Sequence, residues 1–407
     1  MMQVDVCFLV TEHPFLDARI FKKEAKSLVA RGYRVTMIVP RINGYLFDID
    51  GGMFTESFLE PTFYHEGVKI ITYEQIFFEK NIKTLDHNLQ SKKTHRFIDM
   101  LTQLGIEQNA DIYHAHEFCS LYSGVIIKRT LLLEGKSCKL IYDSHELDPD
   151  PLIEQPIQVL KIKNRMLKIM VKEIDYLITV SESIKEWHLS LNASLPVEII
   201  YNSPPLTHEY VPKRRSNSEL TIVYEGTLGK KRGSFDKFIQ MLELANKQRT
   251  IHAKIIGGWK KTNYDVELPD LTNISEYIQF TGWLDLNCIP EAMKDVDIGW
   301  IDLDAKHSLN NDFAMPNKFF SYLNNGIPVL VNQCKDMMEF IQTYNCGYVV
   351  PKKRATAEDY AEALVSLANN KLDKMSYKAR GIMEAMFSWE HMEIRLRKVY
   401  EQLTNDF

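Results

Sequence analysis

Phe313-Ala-Met-Pro-Asn-Lys-Phe-Phe-Ser-Tyr-Leu-Asn-Asn-Gly-Ile-Pro-Val-Leu-Val331 is the stretch that decides the fold of this chain. Pro316 suits the first turn of a helix, where its missing N–H removes no hydrogen bond. Gly326 suits the left-handed position that follows the last turn of a helix. The apolar run 329–331 is typical of a parallel strand that is buried on both faces. The stretch therefore predicts a loop, a short helix, a glycine stop and a buried strand.

The predicted helix has two different faces. Phe319, Phe320 and Leu323 can pack inward. Asn317 and Ser321 lie one turn apart on another side. Lys318 lies near the positive end of the helix, where exposed backbone N–H groups and one ammonium suit a phosphate anion. By itself the pattern also fits an ordinary amphipathic helix with a good C-cap. The rest of the chain has to decide between these two interpretations.

Length and composition limit the class of protein. The chain has 407 residues, which favours two domains. Apolar residues make up 45% and charged residues 25%, as in soluble globular proteins, and the net charge of -5 argues against a general nucleic-acid binder. The six cysteines show no C-x-x-C pair and no zinc spacing, which favours a reducing cytoplasm. No signal peptide or membrane-spanning run is visible, so we expect a soluble or at most peripheral protein.

The order of strands and helices predicts the α/β fold class. Short apolar strands alternate with helices from Val4 to Tyr201, which is typical of a parallel sheet. Within this part we predict that 43–67 is an irregular surface loop and that 80–104 is mostly helical. The segment 202–218 has three prolines and a basic cluster, and we interpret it as an interdomain linker. A second strand–helix series follows, so the chain should form two doubly wound domains with a cleft between them, where ligands bind beyond the carboxyl ends of the strands.

Several short motifs occur in a definite order along both halves. The first half contains Asp17-Ala-Arg-Ile-Phe-Lys-Lys-Glu24, Asp111-Ile-Tyr-His-Ala-His-Glu117, Tyr142-Asp-Ser-His-Glu-Leu147 and Thr179-Val-Ser-Glu182. The second half contains Tyr224-Glu-Gly-Thr-Leu-Gly-Lys-Lys-Arg-Gly233, Phe280-Thr-Gly282, the segment 316–329 and Phe387-Ser-Trp-Glu390. In order and spacing, over nearly the whole length, these motifs resemble the GT-B glycosyltransferases related to family 4.

The resemblance implies an architecture and an activity. It implies two Rossmann-like domains, an acceptor-side domain over 1–205 and a nucleotide-sugar donor domain over 206–385. It also implies that the C-terminal helix, 386–407, crosses back to the first domain. The activity would be sugar transfer from a nucleotide-activated donor to an acceptor, usually with retention at the anomeric carbon.

The donor side is expected in the second domain. The loop 226–233 should hold the donor pyrophosphate, with Arg232 as its main cation, although a solvated basic turn is an alternative. Thr227 stands where many family members have an arginine. The expected donor-binding residues are Gly226, Thr227, Lys231, Arg232, Pro316, Asn317, Lys318 and Ser321.

The two donor-domain glutamates of the family are absent. If Ser321 takes the place of the second, then the first falls at Phe313. A serine hydroxyl could still reach a ribose hydroxyl, but without charge that hydrogen bond is weaker by about half. Asn310, Asn311 or Asp312 could replace the first glutamate. This departure leaves open a degenerate protein that binds a nucleotide sugar or a partner without turnover.

The first domain should supply the residues at the reaction centre. His116 ends a predicted strand and should point into the cleft, where the resemblance implies contact with the donor sugar; a purely structural histidine is the alternative. Asp17 and Arg19 are either part of the reaction centre or an ion pair at a helix start. The remaining acceptor-side residues are Glu12, His13, Glu117, His145 and Glu146.

We expect no metal ion and no cofactor besides the nucleotide sugar. Asp-x-Asp occurs four times at unrelated places, which suggests chance, and there is no H-E-x-x-H motif. Lysine, arginine and a helix dipole would then neutralise the leaving diphosphate. The basic amphipathic segment 156–172 is either a plain surface helix or a peripheral contact with the inner face of the cell membrane.

Together with the sequence features above, the resemblance implies a hexosyl- or N-acetylhexosaminyltransferase of surface polysaccharide biosynthesis that is metal-independent and cytoplasmic. Besides the degenerate binding protein, a GT-B-shaped sugar-nucleotide epimerase is a third possibility. Such an epimerase would need several carboxylates to move protons, and the predicted donor segment has few.

Overall fold

A computed structural model describes residues 3–75, 81–91, 99–208, 210–213, 219–229, 234–261 and 271–405. The chain divides into two compact units: Met1–Ile200 with Glu393–Phe407, and Tyr201–Met392. None of the described helices is long and apolar enough to cross a membrane.

The first unit is built on a sheet of eight described strands. They are β1 Asp5–Val10, β2 Arg34–Arg41, β3 Thr62–His65, β4 Val68–Glu74, β5 Ile112–His116, β6 Lys139–Ser144, β7 Tyr176–Thr179 and β8 Val197–Ile199. Their order is β3-β4-β2-β1-β5-β6-β7-β8, and the antiparallel edge strand β3 pairs with β4 while the other pairs are parallel. The chain reverses its direction across the sheet between β1 and β5, which is the switch point where such sheets bind ligands.

Helices cover this sheet. They are α1 Lys26–Ala30, which continues a π-helical turn Ile20–Ala25, and α2 Ile82–Ser91, α3 Met100–Gln108, α4 Glu117–Leu133, α5 Ile157–Met170 and α6 Glu182–Leu191. The predicted helix over 80–104 is therefore seen as the separate helices α2 and α3, with 92–98 outside the described residues. Helix α4 begins directly after β5, so Glu117 lies at the carboxyl edge of the sheet.

The segment 43–67 is more ordered than we predicted from its sequence. It contains the strand β3, and Phe54, Phe58 and Phe63 pack edge-on or stacked around the fully buried Phe15. Arg41 donates hydrogen bonds to the backbone carbonyls of three residues in this segment, which satisfies groups that strand pairing leaves free. The prediction of an irregular surface loop holds for 43–61, which has no helix or strand, and it was wrong for the strand β3.

The second unit contains a fully parallel sheet of six described strands. They are β9 Glu219–Thr227, β10 Thr250–Gly258, β11 Ile278–Gly282, β12 Ile298–Ile301, β13 Val329–Asn332 and β14 Gly347–Val350. The order β11-β10-β9-β12-β13-β14 is that of a Rossmann sheet, with its switch point between β9 and β12.

The helices of the second unit are α7 Phe235–Asn246, α8 Ile289–Ala292, α9 Leu309–Phe313, α10 Asn317–Asn324, α11 Lys335–Tyr344, α12 Ala357–Ser366 and α13 Asn369–Ile382. Short 3-10 turns occur at Ser275–Tyr277 and Leu286–Cys288, and a π-helical turn occurs at Met383–Phe387. The last helix, α14, runs over Trp389–Thr404, and its residues from Glu393 onward belong to the first unit. There the Tyr400 hydroxyl lies 2.9 Å from His114 Nδ1.

The stretch that opened the sequence analysis folds as predicted. Helix α10 follows Pro316, and Phe319, Phe320 and Leu323 on its inner face are fully buried. Gly326 has a φ of +63°, the left-handed conformation that favours glycine, and the buried strand β13 follows. Local signals were sufficient here because proline, glycine and apolar spacing agree with each other.

Helix α5 carries the basic segment that we considered as a membrane contact. Lys163 is buried and lies 3.3 Å from an Asp148 carboxylate oxygen, and Arg165 forms a two-point contact with Asp86 of α2. Lys161 and Lys168 remain exposed on this helix, and Ile157 at its start is 68% exposed. Part of the predicted basic face is therefore used in ion pairs within the first unit.

Candidate functional site

Polar side chains of the first unit meet at the carboxyl ends of β1, β5 and β6. In the strand register, Val10 of β1 is opposite His116 of β5, and His116 is opposite Asp143 of β6. Glu12 and His13 follow β1, and Glu117 and His145 follow the other two strands directly. The parallel sheet therefore brings together groups that lie far apart in sequence.

Asp143 is the fully buried centre of this cluster. Arg19 donates from Nε and Nη2 to its two carboxylate oxygens, both at 3.0 Å, and from Nη1 to the carbonyl of Ile200 at 2.7 Å. Burial would raise the pKa of the Asp143 carboxyl, but Arg19 and then His145 outweigh it and hold that pKa well below its usual range. Asp143 is therefore a buried anion that anchors the histidines around it.

Asp143 was not among the site residues that we predicted, although His145 and Glu146 of the same motif were. The available signal was its position at the end of a predicted strand, next to the strand that ends in His116. Alternation along the strand cannot show that an arginine from another segment reaches it.

The structure corrects the expected orientation of His116. The residue is fully buried instead of open to a ligand, and its ring stacks on His114 with a centroid distance of 4.3 Å. Its Nδ1 lies 3.2 Å from Nε2 of His145. Burial, followed by the effect of His114, holds the pKa of His116 well below its ordinary value, so the ring is neutral. In this conformation His116 can influence a ligand through His145.

Arg19 and Asp17 were predicted to lie in the reaction centre or to form an ion pair at a helix start. Arg19 is buried, and its Nε also lies 3.0 Å from an oxygen of buried Glu24, so its guanidinium is directed at two carboxylates of the interior. Asp17 Oδ1 accepts hydrogen bonds from the backbone N–H groups of Arg19 at 2.7 Å and Ile20 at 3.0 Å. Asp17 thus stabilises the start of the helical segment in the way that a capping carboxylate does. Asp17 therefore lies at a helix start, as one of the two predictions had it, with backbone N–H groups as its partners, and a part for either residue in the reaction centre stays a prediction.

The accessible part of the cluster consists of His13, Glu117 and His145, which we call the rim triad. Glu117 Oε1 lies 3.7 Å from His13 Nε2 and 3.6 Å from His145 Nδ1. The side chains are 27%, 13% and 9% exposed for His13, Glu117 and His145. Each imidazole also faces a second carboxylate, Asp17 for His13 at 3.5 Å and Asp143 for His145 at 3.1 Å. The rim triad can therefore both donate hydrogen bonds to a polar ligand and accept them from it.

Charge within the rim triad is set by burial and by its neighbours. Burial would lower the pKa of His13, but Asp17 and Glu117 outweigh it and raise that pKa well above the ordinary histidine value. Burial is also the main reason why the pKa of Glu117 is raised. Glu117 has a φ of +74°, a strained conformation for a residue with a side chain, and such strain is frequent at functional sites. The other predicted acceptor-side residues, Glu12 and Glu146, are exposed next to the triad in sequence.

Two groups in this cluster have ligand atoms close enough for a metal ion. The rim triad is one, and Glu24, His114, His116 and Asp143 form the other, with all ligand atoms of each group within 4.8 Å of one another. Histidines whose second nitrogen faces a carboxylate are common in metal sites. The geometry is compatible with a cation, and the absence of a metal requirement remains a prediction from the sequence.

In the second unit, the predicted donor side lies where β9 ends and α10 begins. Lys318 Nζ lies 3.9 Å from the ring centroid of Tyr224, and 3.5 Å from the place that a Cβ on Gly226 would occupy. Gly226 has a φ of +119°, which side chains rarely adopt. The strand end is therefore both tightly turned and close to a cation. Thr227 ends β9, and its carbonyl accepts a hydrogen bond from the Tyr224 hydroxyl at 2.7 Å.

The start of α10 is available to a ligand. Asn317 is exposed, Pro316 and Ser321 are partly exposed, and no side chain of the described residues caps the helix. The first N–H groups of such a helix favour an anion. Lys231 and Arg232, which we predicted as pyrophosphate ligands, lie outside the described residues.

The structure reveals a donor-side residue that we did not predict, Glu225. Its backbone N–H donates to the Tyr322 hydroxyl at 2.8 Å, and its carboxylate interacts with the hydroxyl of Ser321 and the ammonium of Lys318. Burial raises the pKa of this carboxyl, while Ser321 and Lys318 partly oppose that effect. The sequence signal was a glutamate inside the motif 224–233, which strand periodicity alone does not distinguish.

Asp312, which we considered as a substitute for the first missing glutamate, makes structural contacts instead. Asp312 is buried, and it accepts hydrogen bonds from the backbone N–H of Lys335 at 3.0 Å and from Lys353 Nζ at 2.7 Å. These contacts join α9 to α11 and to the segment after β14. Asp312 therefore acts as a structural residue in the second unit.

Comparison with known families identifies both halves. The family described as Glycosyltransferase Family 4 matches residues 18–204, and the family described as Glycosyl transferases group 1 matches residues 219–370. The chain belongs to the family 4 and group 1 glycosyltransferases. No match was found among the curated protein sequences.

Solved structures show the same GT-B fold as this glycosyltransferase. Sucrose-phosphate synthase from Thermosynechococcus elongatus is 14% identical, each chain is covered to 100%, and the TM-score is 0.67. HepE from Anabaena in complex with UDP is 14% identical, with 98% of this chain and 100% of HepE covered and a TM-score of 0.64. The lipopolysaccharide outer core galactosyltransferase WaaB is 12% identical, with 98% and 99% covered and a TM-score of 0.60. The prediction of two parallel-sheet α/β domains of the GT-B type is confirmed.

Proposed function

We propose that this glycosyltransferase moves a hexose or N-acetylhexosamine from a nucleotide-diphosphate sugar to a hydroxyl of a glycan or lipid-linked glycan. The observation that carries the proposal is the position of Lys318, at the open start of α10 and beside the end of β9. That place is the switch point of a Rossmann sheet, where an ammonium and the positive end of a helix suit a diphosphate. HepE in complexes with UDP and with UDP-glucose supports a donor of this kind.

The reaction that we propose retains the configuration at the anomeric carbon and needs no metal ion. The bond between the anomeric carbon and the phosphate oxygen breaks, a bond to the acceptor oxygen forms on the same face, and the acceptor proton passes to the leaving diphosphate. Lys318 and the dipole of α10 stabilise the negative charge that develops on that diphosphate. No enzyme nucleophile is assigned to this step.

The rim triad is our proposed acceptor-binding group in the first unit. The protonated His13 ring donates a hydrogen bond to an acceptor oxygen, and Glu117 accepts one from a hydroxyl. Asp143, Arg19 and His116 are positioning residues, because they lie beneath His145 and hold its ring in place. This division of roles is consistent with a partly exposed triad above the buried, ionised Asp143.

We place the protein in the cytoplasm, in surface polysaccharide biosynthesis, with a peripheral contact to the membrane through 156–172. The exposed Ile157, Lys161 and Lys168 of α5 support such a contact. WaaB, which acts on the lipopolysaccharide outer core, supports the pathway. Flotation with anionic lipid vesicles tests the contact, and a protein that stays unbound at low salt contradicts it.

A transfer assay tests the central proposal. Purified protein is incubated with UDP-, GDP- and ADP-sugars and an extract of lipid-linked glycans, with and without EDTA. We expect transfer from at least one donor, equal rates in both conditions, and a donor affinity about 10-fold lower in Lys318→Met. Lys374→Met, an exposed lysine of α13, is the matched control.

The alternative function is a degenerate protein that binds a nucleotide sugar or a partner without turnover. Phe313 and Ser321 in place of glutamates, together with the buried His116, favour it. Calorimetric binding of a donor without transfer to any acceptor would support this alternative. Absence of both donor binding and transfer would contradict the transferase and would leave only the partner-binding form of the alternative.

A further inference from the structure

The end of β9 holds a carboxylate whose bonding is incomplete. Glu225 is fixed by its backbone, which pairs in register with Ile256 of β10 and donates to the Tyr322 hydroxyl at 2.8 Å. Its carboxylate faces Ser321 and Lys318 of α10. Its Oε2 is buried, yet it has no hydrogen-bond partner among the residues that the structure describes. A buried carboxylate oxygen without a partner costs free energy, and such a group is often completed by a ligand.

The surroundings decide what kind of ligand group fits this oxygen. A carboxylate accepts hydrogen bonds and repels phosphate, so the diphosphate belongs to Lys318 and the helix start, and a donor group belongs to Glu225. Two neighbouring hydroxyls suit a carboxylate, because each can donate to one of its oxygens. In a nucleotide sugar, vicinal hydroxyls flank the diphosphate on both sides, on the ribose and on the transferred sugar.

The position of Ser321 strengthens this assignment. Ser321 lies three residues after Lys318, on the same side of α10, and its hydroxyl lowers the pKa of the Glu225 carboxyl. A carboxylate supplied by β9 and one supplied at position 321 of α10 would therefore occupy the same region. Two carboxylates there would repel each other, whereas a serine hydroxyl can donate to the one that is present.

We propose that Glu225 is a substrate-binding residue that accepts hydrogen bonds from a vicinal diol of the nucleotide sugar, with Ser321 orienting its carboxylate. The inference rests on the proposed function, since it requires a nucleotide sugar at this place. It assigns the diol contact to the strand instead of the helix, and it explains how the chain can function with serine at position 321.

The test compares ligands that differ in their hydroxyl groups. Calorimetry measures UDP, GDP and ADP, their 2′,3′-dideoxy counterparts and UDP-glucose against wild type, Glu225→Gln and the control Glu219→Gln. Glu219 is an exposed residue at the other end of β9. If the ribose supplies the diol, we expect wild type to prefer the ribonucleotide over its dideoxy form by about 10- to 100-fold. Glu225→Gln should lose that preference, and Glu219→Gln should keep it.

If the transferred sugar supplies the diol, Glu225→Gln keeps the ribose preference but binds UDP-glucose no better than UDP. A second variant, Glu225→Ala with Ser321→Glu, moves the carboxylate onto α10 and should restore the lost preference. Circular dichroism and the melting temperature confirm that each variant is folded. The inference is overturned if folded Glu225→Gln matches wild type within about twofold in both ratios of affinity, that of ribonucleotide to dideoxy form and that of UDP-glucose to UDP. Failure of the wild type to bind any of these nucleotides overturns the proposed function, and the inference with it.

Discussion

Replacing Arg19 by methionine tests whether the buried cluster of the first unit is an ionic network. Methionine keeps most of the side-chain volume but removes the guanidinium. The change deletes two hydrogen bonds of 3.0 Å to Asp143 and one of 2.7 Å to the Ile200 carbonyl. It leaves the ionised Asp143 carboxylate buried without its guanidinium partner.

The expected cost is about 3–5 kcal/mol of unfolding free energy, as for other buried pairs that lose one partner. That is a large part of the stability of a typical domain, about 5–15 kcal/mol. Arg34→Met is the matched control, because Arg34 makes a similar two-point contact with Asp5 at the exposed amino ends of β2 and β1 in the same sheet. We expect little measurable change for the control, since solvent screens an exposed pair.

The loss of stability in Arg19→Met should depend on pH, because Arg19 acts on the pKa of Asp143. In the wild type Arg19 helps to hold the pKa of Asp143 well below its usual range, so this stabilisation is complete above the unfolded pKa and is lost as the pH falls. Without Arg19, burial is less opposed and raises the pKa of that carboxyl. Ionisation near pH 7 then destabilises the variant. The difference between variant and wild type should be largest near pH 7 and smaller at about pH 5.

Hydrogen exchange measured on peptides from β5 and β6 is the appropriate assay, because the two units need not unfold together. We expect faster exchange there in Arg19→Met, with peptides from β12 and β13 as the internal reference. Equal exchange in Arg19→Met and Arg34→Met would refute the assignment of a buried ionic network. If the difference between Arg19→Met and wild type grows as the pH falls, the predicted pH dependence is wrong.

Two further predictions concern the two sites. The pKa of His13 is raised well above its ordinary value, so loss of its proton should lower transfer (kcat/KM) at alkaline pH. His13→Gln should lower kcat/KM about 10- to 100-fold and abolish that alkaline limb, and an unchanged limb would contradict the role. A Cβ on Gly299 would lie 2.2 Å from the Tyr322 ring, so Gly299→Ala should lower the free energy of unfolding in urea by about 1–3 kcal/mol. The same variant should bind nucleotides more weakly, because the Tyr322 hydroxyl accepts a hydrogen bond from Glu225. Gly381→Ala, with nothing within 4 Å of its Cβ, is the control, and equal stability of the two variants would contradict this packing.

Local sequence signals predicted most of the architecture. Proline, glycine and apolar spacing around α10 agreed, and the strands that we predicted in both units are present with ends shifted by a few residues. The strand β3 was missed, because its order depends on pairing with β4 and on aromatic packing over 54–63.

The sequence by itself placed His116 and Asp143 near the carboxyl ends of two predicted strands of the first unit, because each follows a short apolar run. It also identified His13, Glu117 and His145, which the sheet brings within hydrogen-bonding reach of a common ligand. Only the tertiary structure decided which of these groups are accessible. The guanidinium of Arg19 comes from a distant segment and neutralises the buried Asp143, so His116 stays in the interior and His145 lies above it. Periodicity reports the face of a strand or helix, but burial and charge pairing depend on segments far apart in the chain.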